Sequence, residues 1–139
     1  MEPTFFFKAY LVVLVILCAL DFVWLGLVTN KVYKKEFGDL ARKKGDYFDP
    51  IWPVAILIYL IMAFGIVYFI IPKIIDIPLG LSSFIPGAIL GFIIFSVYDL
   101  TNLTLLKNWS TKITILDIAW GTFTVSVSSV LASYILNLL

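Results

Sequence analysis

Four long apolar stretches restrict this chain to structures that can cross a lipid bilayer. They cover about residues 5–28, 51–71, 81–106 and 113–138. Each is close to the roughly 20 residues that a helix needs to cross a hydrocarbon core of about 30 Å. Only helices and closed barrels satisfy their backbone in lipid, and the stretches lack the period-two alternation of barrel strands. The sequence therefore predicts an all-α membrane protein with four transmembrane helices.

Little of the chain remains for anything else, since 62% of its 139 residues are hydrophobic and 14% are charged. We expect one integral-membrane domain over residues 1–139, with the lipid bilayer as its surroundings. A net charge of +1 argues against nucleic-acid binding. Histidine is absent and Cys18 is the one cysteine, so zinc, haem and iron–sulfur centres lack their usual ligands. We expect no metal site and no cofactor, although carboxylates could still hold a hard cation.

The basic residues predict the orientation of the spans. Eight of the ten lie in the loops after the first and third stretches, and the opposite side holds only Lys8 and Lys73. Loops rich in lysine and arginine stay in the cytoplasm. We therefore expect both termini to face outward and the two basic loops to face the cytoplasm.

The first loop has a helical pattern of its own. Its apolar residues Tyr33, Phe37, Leu40 and Ala41 recur at the spacing of one helical face, with charged residues between them. The pattern predicts a short interfacial helix over about residues 31–43, on the cytoplasmic surface of the membrane. The alternative is a solvated basic loop that only fixes the topology.

Three aspartates lie inside the predicted spans. Asp21 lies nine residues before Asn30, and Asp99 lies eight before Lys107. At 1.5 Å per residue, both are roughly 12–14 Å inside the cytoplasmic helix ends. Asp117 lies about 7–8 Å from its own end by the same measure. Three helices thus place an acid at similar depth, which suggests one shared polar site.

Each acid has a hydrogen-bonding neighbour one helical turn away. A tryptophan follows the first and the third acid at i+3, and an asparagine follows the second at the same spacing. The repeated Asp-x-x-Trp pair lies in two antiparallel helices, which could reflect an inverted repeat or chance. The candidate ligand- or proton-binding residues are therefore Asp21, Trp24, Tyr98, Asp99, Asn102, Asp117 and Trp120.

No lysine or arginine lies inside the spans near these acids to neutralise them, since Lys8 is at the opposite end of the first stretch. Desolvation and mutual repulsion both favour the neutral form, so we expect at least one to be protonated at neutral pH. Each acid also has a structural interpretation. Asp117 could lie in the first turn of its helix with Thr114 as cap, Asp99 could mark a turn, and Asp21 could join two helices.

Small residues predict how the last two spans pack. Gly87 and Gly91 form a GxxxG motif, and Gly121 and Ser128 lie on the acid-bearing face of the fourth span. We expect these faces to meet and to bury the acids of both spans between them. The alternative is that the GxxxG motif packs against a second copy of the chain in a homo-oligomer.

Four motifs resemble a known family. They are Leu-Asp-Phe-Val-Trp-Leu-Gly at 20–26, Tyr-Asp-Leu-Thr-Asn at 98–102, Leu-Lys-Asn-Trp at 106–109 and Asp-Ile-Ala-Trp-Gly at 117–121. In this order they resemble the bacterial membrane proteins of domain-of-unknown-function family 2177. Where that family favours Gly-Trp-Pro in the third loop, this chain has Asn-Trp-Ser at 108–110. The resemblance implies the fold and the choice of site residues but no particular activity, and with it we expect a protein of the bacterial inner membrane.

Three functions fit the sequence. The first is proton- or cation-linked transport, or binding of a small amphiphile, which requires a cavity that reaches the acids. The second is a structural or assembly role, which requires fully hydrogen-bonded acids and no cavity. The third is an intramembrane lipid-modifying enzyme with a carboxylate acid–base pair, which requires an opening toward lipid. The chain shows no evident nucleophile, so the sequence favours a protein that is not an enzyme.

Overall fold

The computed structural model describes residues 1–139, and most of them are helical. Four helices are long and apolar enough to cross a membrane, which confirms the predicted number of spans. We call them spans one to four, and they run over Pro3–Val28, Trp52–Ile74, Leu81–Leu105 and Thr111–Leu138. Their order in space differs from their order in sequence. Span four packs between spans three and one, and span one packs between spans four and two.

Span one changes its winding at the first aspartate. It is an α-helix over Pro3–Asp21 and a wider π-helix over Phe22–Val28. The backbone N–H of Thr29 donates to the carbonyl of Trp24, five residues earlier, as π-helical winding requires. π-Helical turns are rare and often lie at functional sites. Here the segment begins directly after Asp21 and carries the remaining residues, Phe22 to Trp24, of the Asp-Phe-Val-Trp motif that the sequence singled out.

Span two is interrupted near its end by a proline. Its α-helix covers Trp52–Phe69, and a further turn covers Ile71–Ile74 after a break at Ile70. Pro72 has no N–H to donate to the carbonyl of the preceding turn, so the regular helix cannot continue through it. Helical structure nevertheless extends a few residues beyond the predicted end at 71.

The apolar core lies in the half of the bundle that contains the two chain termini, which we call the terminal end. Here Ser133 Oγ and Asn137 Nδ2 of span four donate hydrogen bonds to the carbonyls of Ile74 and Ile75, at 3.3 and 2.8 Å. These bonds hold spans two and four together at this end. The buried apolar cluster consists of Ala9, Val13, Leu17, Ala63, Ile66, Val67, Ile70, Ile71, Ile74, Val125, Ala132 and Leu136.

The opposite half carries the two basic loops, and we call it the basic end. In its first loop a helix covers Asn30–Phe37, which is shorter than the predicted range of 31–43. Gly38 ends this helix because its φ of +51° lies in the left-handed region that favours glycine. A 3₁₀ turn over Gly38–Leu40 follows. The strands Lys43–Lys44 and Tyr47–Phe48 then form an antiparallel hairpin. Periodicity alone could not locate these changes of direction.

Candidate functional site

A cavity of about 940 Å³ lies at the basic end of the bundle. All four spans and the first loop contribute to its lining, and most of the lining side chains are apolar. The apolar face predicted for the loop helix, formed by Tyr33, Phe37, Leu40 and Ala41, lines this cavity. The loop helix, with Tyr33 and Phe37, and the turn after it, with Leu40 and Ala41, therefore direct these side chains toward the cavity. Two carboxylates lie in the cavity wall, those of Asp21 and Asp117.

Each carboxylate accepts a hydrogen bond from another element of the fold. Trp120 of span four donates its indole N–H to Oδ1 of Asp21 in span one, at 2.7 Å. Tyr33 of the loop helix donates its hydroxyl to Oδ1 of Asp117 in span four. Trp24 of span one donates to the Tyr33 oxygen at 3.5 Å. The network thus links span one, span four and the loop helix around the cavity.

The two Asp-x-x-Trp motifs meet at the centre of this network. The rings of Trp24 and Trp120 stack with their centroids 4.3 Å apart and their planes 2° from parallel. Trp120 donates directly to Asp21 of the opposite span. Trp24 is linked to Asp117 of the opposite span through the hydroxyl of Tyr33. The i+3 spacing suggested that each tryptophan would pair with the acid on its own helix. The observed pairing crosses between the helices instead.

Both cavity carboxylates have hydrogen-bonding capacity that the contacts within the protein do not use. The bonds from Trp120 and Tyr33 reach one oxygen of each group, whereas an ionised carboxylate offers about four acceptor positions. The Tyr59 hydroxyl of span two lies beside Asp21 as a further donor. Both acids are half-buried, so they remain accessible from the cavity. The protein therefore orients these carboxylates without using all of their hydrogen-bonding capacity.

Asp99 lies apart from the cavity. Its side chain is 0% exposed, and neither of its oxygens has a hydrogen-bond partner. The nearby hydroxyl of Ser96 is also buried without a partner. The expectation that spans three and four would bury the acids of both spans between them is therefore wrong for Asp117, which lines the cavity. Two of the three predicted acids therefore line the cavity, and Asp99 is buried outside its wall.

The other two candidates of span three lie at the edge of the site. Tyr98 lines the cavity, and its ring meets Trp109 edge-on, with the centroids 6.0 Å apart. Asn102 is half-buried and does not line the cavity. Tyr98 thus contributes an aromatic surface to the cavity, whereas Asn102 lies on the same helix outside the cavity wall.

The glycine faces of spans three and four are in close contact. A Cβ atom on Gly87 would lie 2.7 Å from the Cα atom of Ser126, and one on Gly91 would lie 3.0 Å from the Cα atom of Thr122. Gly121 makes room for the ring of Phe95. Ser128 is fully buried in span four, and its hydroxyl has no partner. Span four therefore occupies the GxxxG face within a single chain.

The start of span four differs from the predicted cap. Ser110 caps the helix by accepting a hydrogen bond from the backbone N–H of Ile113 at 3.3 Å. Thr114, the expected cap, instead accepts a bond from the Trp109 indole N–H at 3.0 Å. Because the helix begins at Thr111, Asp117 lies in its second turn. The first-turn interpretation of Asp117 therefore does not hold.

Polar contacts fasten the loop helix to this cap. Ser110 Oγ donates to Oε2 of Glu36 at 2.6 Å, and Lys112 Nζ lies 3.7 Å from Oε1. The hydrogen bond from Ser110, aided by the charge of Lys112, lowers the pKa of Glu36. At the buried end of the helix, burial and the bond to Asp117 raise the pKa of Tyr33, which keeps its phenol neutral and able to donate.

The sequence interpretation missed two tyrosines that support the acids. Tyr33 was recognised as part of an apolar helical face but not as a partner of Asp117. Tyr59 had one available signal, because it is the only side chain with a strong hydrogen-bonding group between Trp52 and Tyr68. No group of three histidine, cysteine or acidic side chains lies close enough together to hold a metal ion.

The four-span bundle, with an acid-bearing cavity under a basic loop, defines the chain as a small polytopic membrane protein. Residues 6–134 match the family described as "Predicted membrane protein (DUF2177)". The chain belongs to this family, which confirms the resemblance seen in its motifs. No curated protein and no solved structure matches the chain.

Proposed function

We propose that this protein binds a small amphiphile in the cavity and transports it in a proton- or cation-linked manner. One observation carries the proposal: a cavity of about 940 Å³ combines mostly apolar walls with the carboxylates of Asp21 and Asp117. Sites for small organic ligands have volumes of about 300–1,000 Å³ and place a few polar groups in an apolar lining. The apolar walls suit a hydrocarbon tail, and the two acids suit a polar head.

The surroundings of the cavity support entry from the lipid. Lining residues of spans one and two are strongly exposed: Phe22 by 70%, Trp52 by 66% and Ile56 by 55%. These two spans are held together by the apolar cluster at the terminal end. At the basic end, an amphiphile can pass between them while its tail remains in a nonpolar environment.

The charges support coupling to a proton or cation. Among the lining residues only Arg42 is basic, and it lies on the exposed loop rather than inside a span. In an apolar site, two acids are more stable with a bound proton or cation than as ionised carboxylates without one. A proton and a cationic group therefore compete for the same carboxylates. With the basic loops in the cytoplasm, the cavity opens in the cytoplasmic half of the bacterial inner membrane.

The two other functions fit less well. A purely structural role requires saturated carboxylates and no cavity, whereas Asp99 has no partner and the other two acids line a cavity. The proposed entry between spans one and two would also suit an enzyme that acts on lipid, with Asp21 and Asp117 as general acid and base. Deleting the protein and profiling the membrane lipids tests this second candidate, because an enzyme predicts accumulation of its substrate.

Binding can be measured with the protein's own tryptophans, since Trp52, Trp109 and Trp120 line the cavity and Trp24 stacks on Trp120. The protein is placed in nanodiscs and titrated with bromododecyl amphiphiles, whose bromine quenches tryptophan at short range. We expect saturable quenching above the linear background from probe dissolved in the lipid.

A matched pair of variants locates the binding. Ala55→Phe adds a ring inside the cavity, whereas Ala119→Phe adds the same ring on an exposed face of span four. We expect Ala55→Phe to remove the saturable quenching and Ala119→Phe to retain it. The proposal is wrong if no probe gives saturable quenching, or if the two variants behave alike.

A further inference from the structure

We propose that the head group bound in this cavity is a substituted ammonium cation, held between Asp21 and Asp117 and the aromatic rings around them. The inference rests on the proposed function and names the chemical class of its ligand. Three features of the cavity lead to it: the sign of its charge, its aromatic lining and the small number of its oxygen ligands.

The only charge that the inner cavity can carry is negative. Asp21 and Asp117 approach it from spans one and four, and no lysine lines it. Arg42 lies near the solvent, on the loop that covers the site. An anionic head would therefore meet like charges at low dielectric, where repulsion is strong. A neutral head would leave the carboxylate charge uncompensated.

Aromatic rings surround the two acids. Tyr33 and Tyr59 lie beside the carboxylates, and Trp120 joins them from span four. The cavity wall also includes Phe95 and Tyr98 of span three. The faces of such rings attract organic cations, and aromatic cages are a common means of recognising quaternary ammonium groups. Rings and carboxylates together bind a cation that carries apolar substituents.

The same lining disfavours a divalent metal ion. Divalent cations such as Ca²⁺ require six to eight oxygen ligands and Mg²⁺ requires an octahedral set. No cluster of three acidic side chains is available to supply them. An alkylammonium head keeps its charge without such a coordination shell, and its alkyl groups pack against the rings. The tail then extends along the apolar wall toward the opening between spans one and two.

Three probes with one tail and different heads test the inference: bromododecyl trimethylammonium, bromododecanol and bromododecanoate. Saturable tryptophan quenching in nanodiscs gives the affinity of each. We expect the ammonium probe to bind about tenfold or more tightly than the alcohol, which corresponds to one ion pair in a partly buried site, and the carboxylate to bind more weakly still. If the alcohol binds as tightly as the ammonium probe, the inference is wrong but the proposed amphiphile site stands. If none binds saturably, both are wrong.

Variants then assign the preference to the two acids. Asp21→Asn and Asp117→Asn should each lower the affinity for the ammonium probe by about tenfold and change the affinity for the alcohol much less. Retained alcohol binding also shows that the variant has folded with an intact cavity. Asp76→Asn, at an exposed acid of the terminal end, is the matched control. The inference is overturned if both cavity variants keep the preference of the wild type for the cation, or if the control loses it.

Discussion

The contact between spans three and four is tight enough that a single methyl group should disturb it. A Cβ atom on Gly91 would lie 2.9 Å from the carbonyl carbon of Gly121 and 3.0 Å from the Cα atom of Thr122. An ordinary carbon–carbon separation is about 3.5–4.0 Å, so Gly91→Ala requires the two helices to separate by roughly 1 Å. The atoms in the way belong to the backbone and cannot rotate aside.

The cost of this separation can be estimated against a matched control. Inserting a methyl group into a well-packed interior costs about 1–3 kcal/mol. Gly65 lies in span two, and a Cβ atom added there would have no neighbour within 4 Å. Both substitutions exchange glycine for alanine inside a helix, so the difference in helix propensity cancels between them. We therefore expect Gly91→Ala to be less stable than Gly65→Ala by about 1–3 kcal/mol.

Thermal unfolding of the two variants in the same detergent, followed by circular dichroism, measures this difference. For a chain of this size it corresponds to a gap of several degrees in Tm, with Gly65→Ala at or above the wild type. If Gly91→Ala is as stable as Gly65→Ala, the two spans can separate at no cost. The packing argument would then be refuted.

Three further predictions concern the polar groups. Asp99→Asn should keep or raise the Tm, because it removes a buried acid without partners and changes the shape little; a clear fall in Tm would contradict this. The bond from Ser110 holds the pKa of Glu36 below its usual 4.5. The stability that this bond adds to the folded state is therefore present at neutral pH and is lost as the pH falls through the lowered pKa. Amides of the loop helix should therefore lose protection from hydrogen exchange on acidification, after correction for intrinsic rates, while Glu36→Gln should show weaker protection at neutral pH and no such change. Trp120→Phe keeps an aromatic ring but removes the donor to Asp21, so it should lower stability by about 0.6–2 kcal/mol in an unfolding titration; no loss would mean that the bond contributes nothing.

The fold was predictable because hydrophobicity alone determines which segments can cross a membrane. The four spans follow from the length of each apolar stretch, and the structure confirms their number. The shape of the first loop was less predictable. Its apolar spacing continues to Ala41, but the helix ends at Phe37 because the chain changes direction at Gly38. A periodic pattern shows which face is apolar and does not show where the backbone turns.

The depth of the site residues along the helices was predictable from the sequence, but the direction in which each side chain points was not. Counting residues from the loops placed the three acids at similar depth, yet depth does not specify how each helix is rotated about its axis. Rotation places Asp21 and Asp117 in one cavity and Asp99 in the contact with span four. The π-helix after Asp21 makes the problem harder, because it changes the angle between successive side chains. Trp24 consequently lies against Trp120 rather than beside the acid of its own span.

The location of the cavity follows from an unequal distribution of small and large side chains. Glycine and serine let spans three and four approach closely along much of their length, as the contacts of Gly87 and Gly91 show. Spans one and two have no comparable stripe of small residues, and their buried contacts lie mainly toward the terminal end. At the basic end, the aromatic rings are too large for the helices to close around them, and the loop helix covers the space that remains. The same rings that keep the helices apart therefore form the walls beside the two acids, so the packing that creates the cavity also gives it its chemical character.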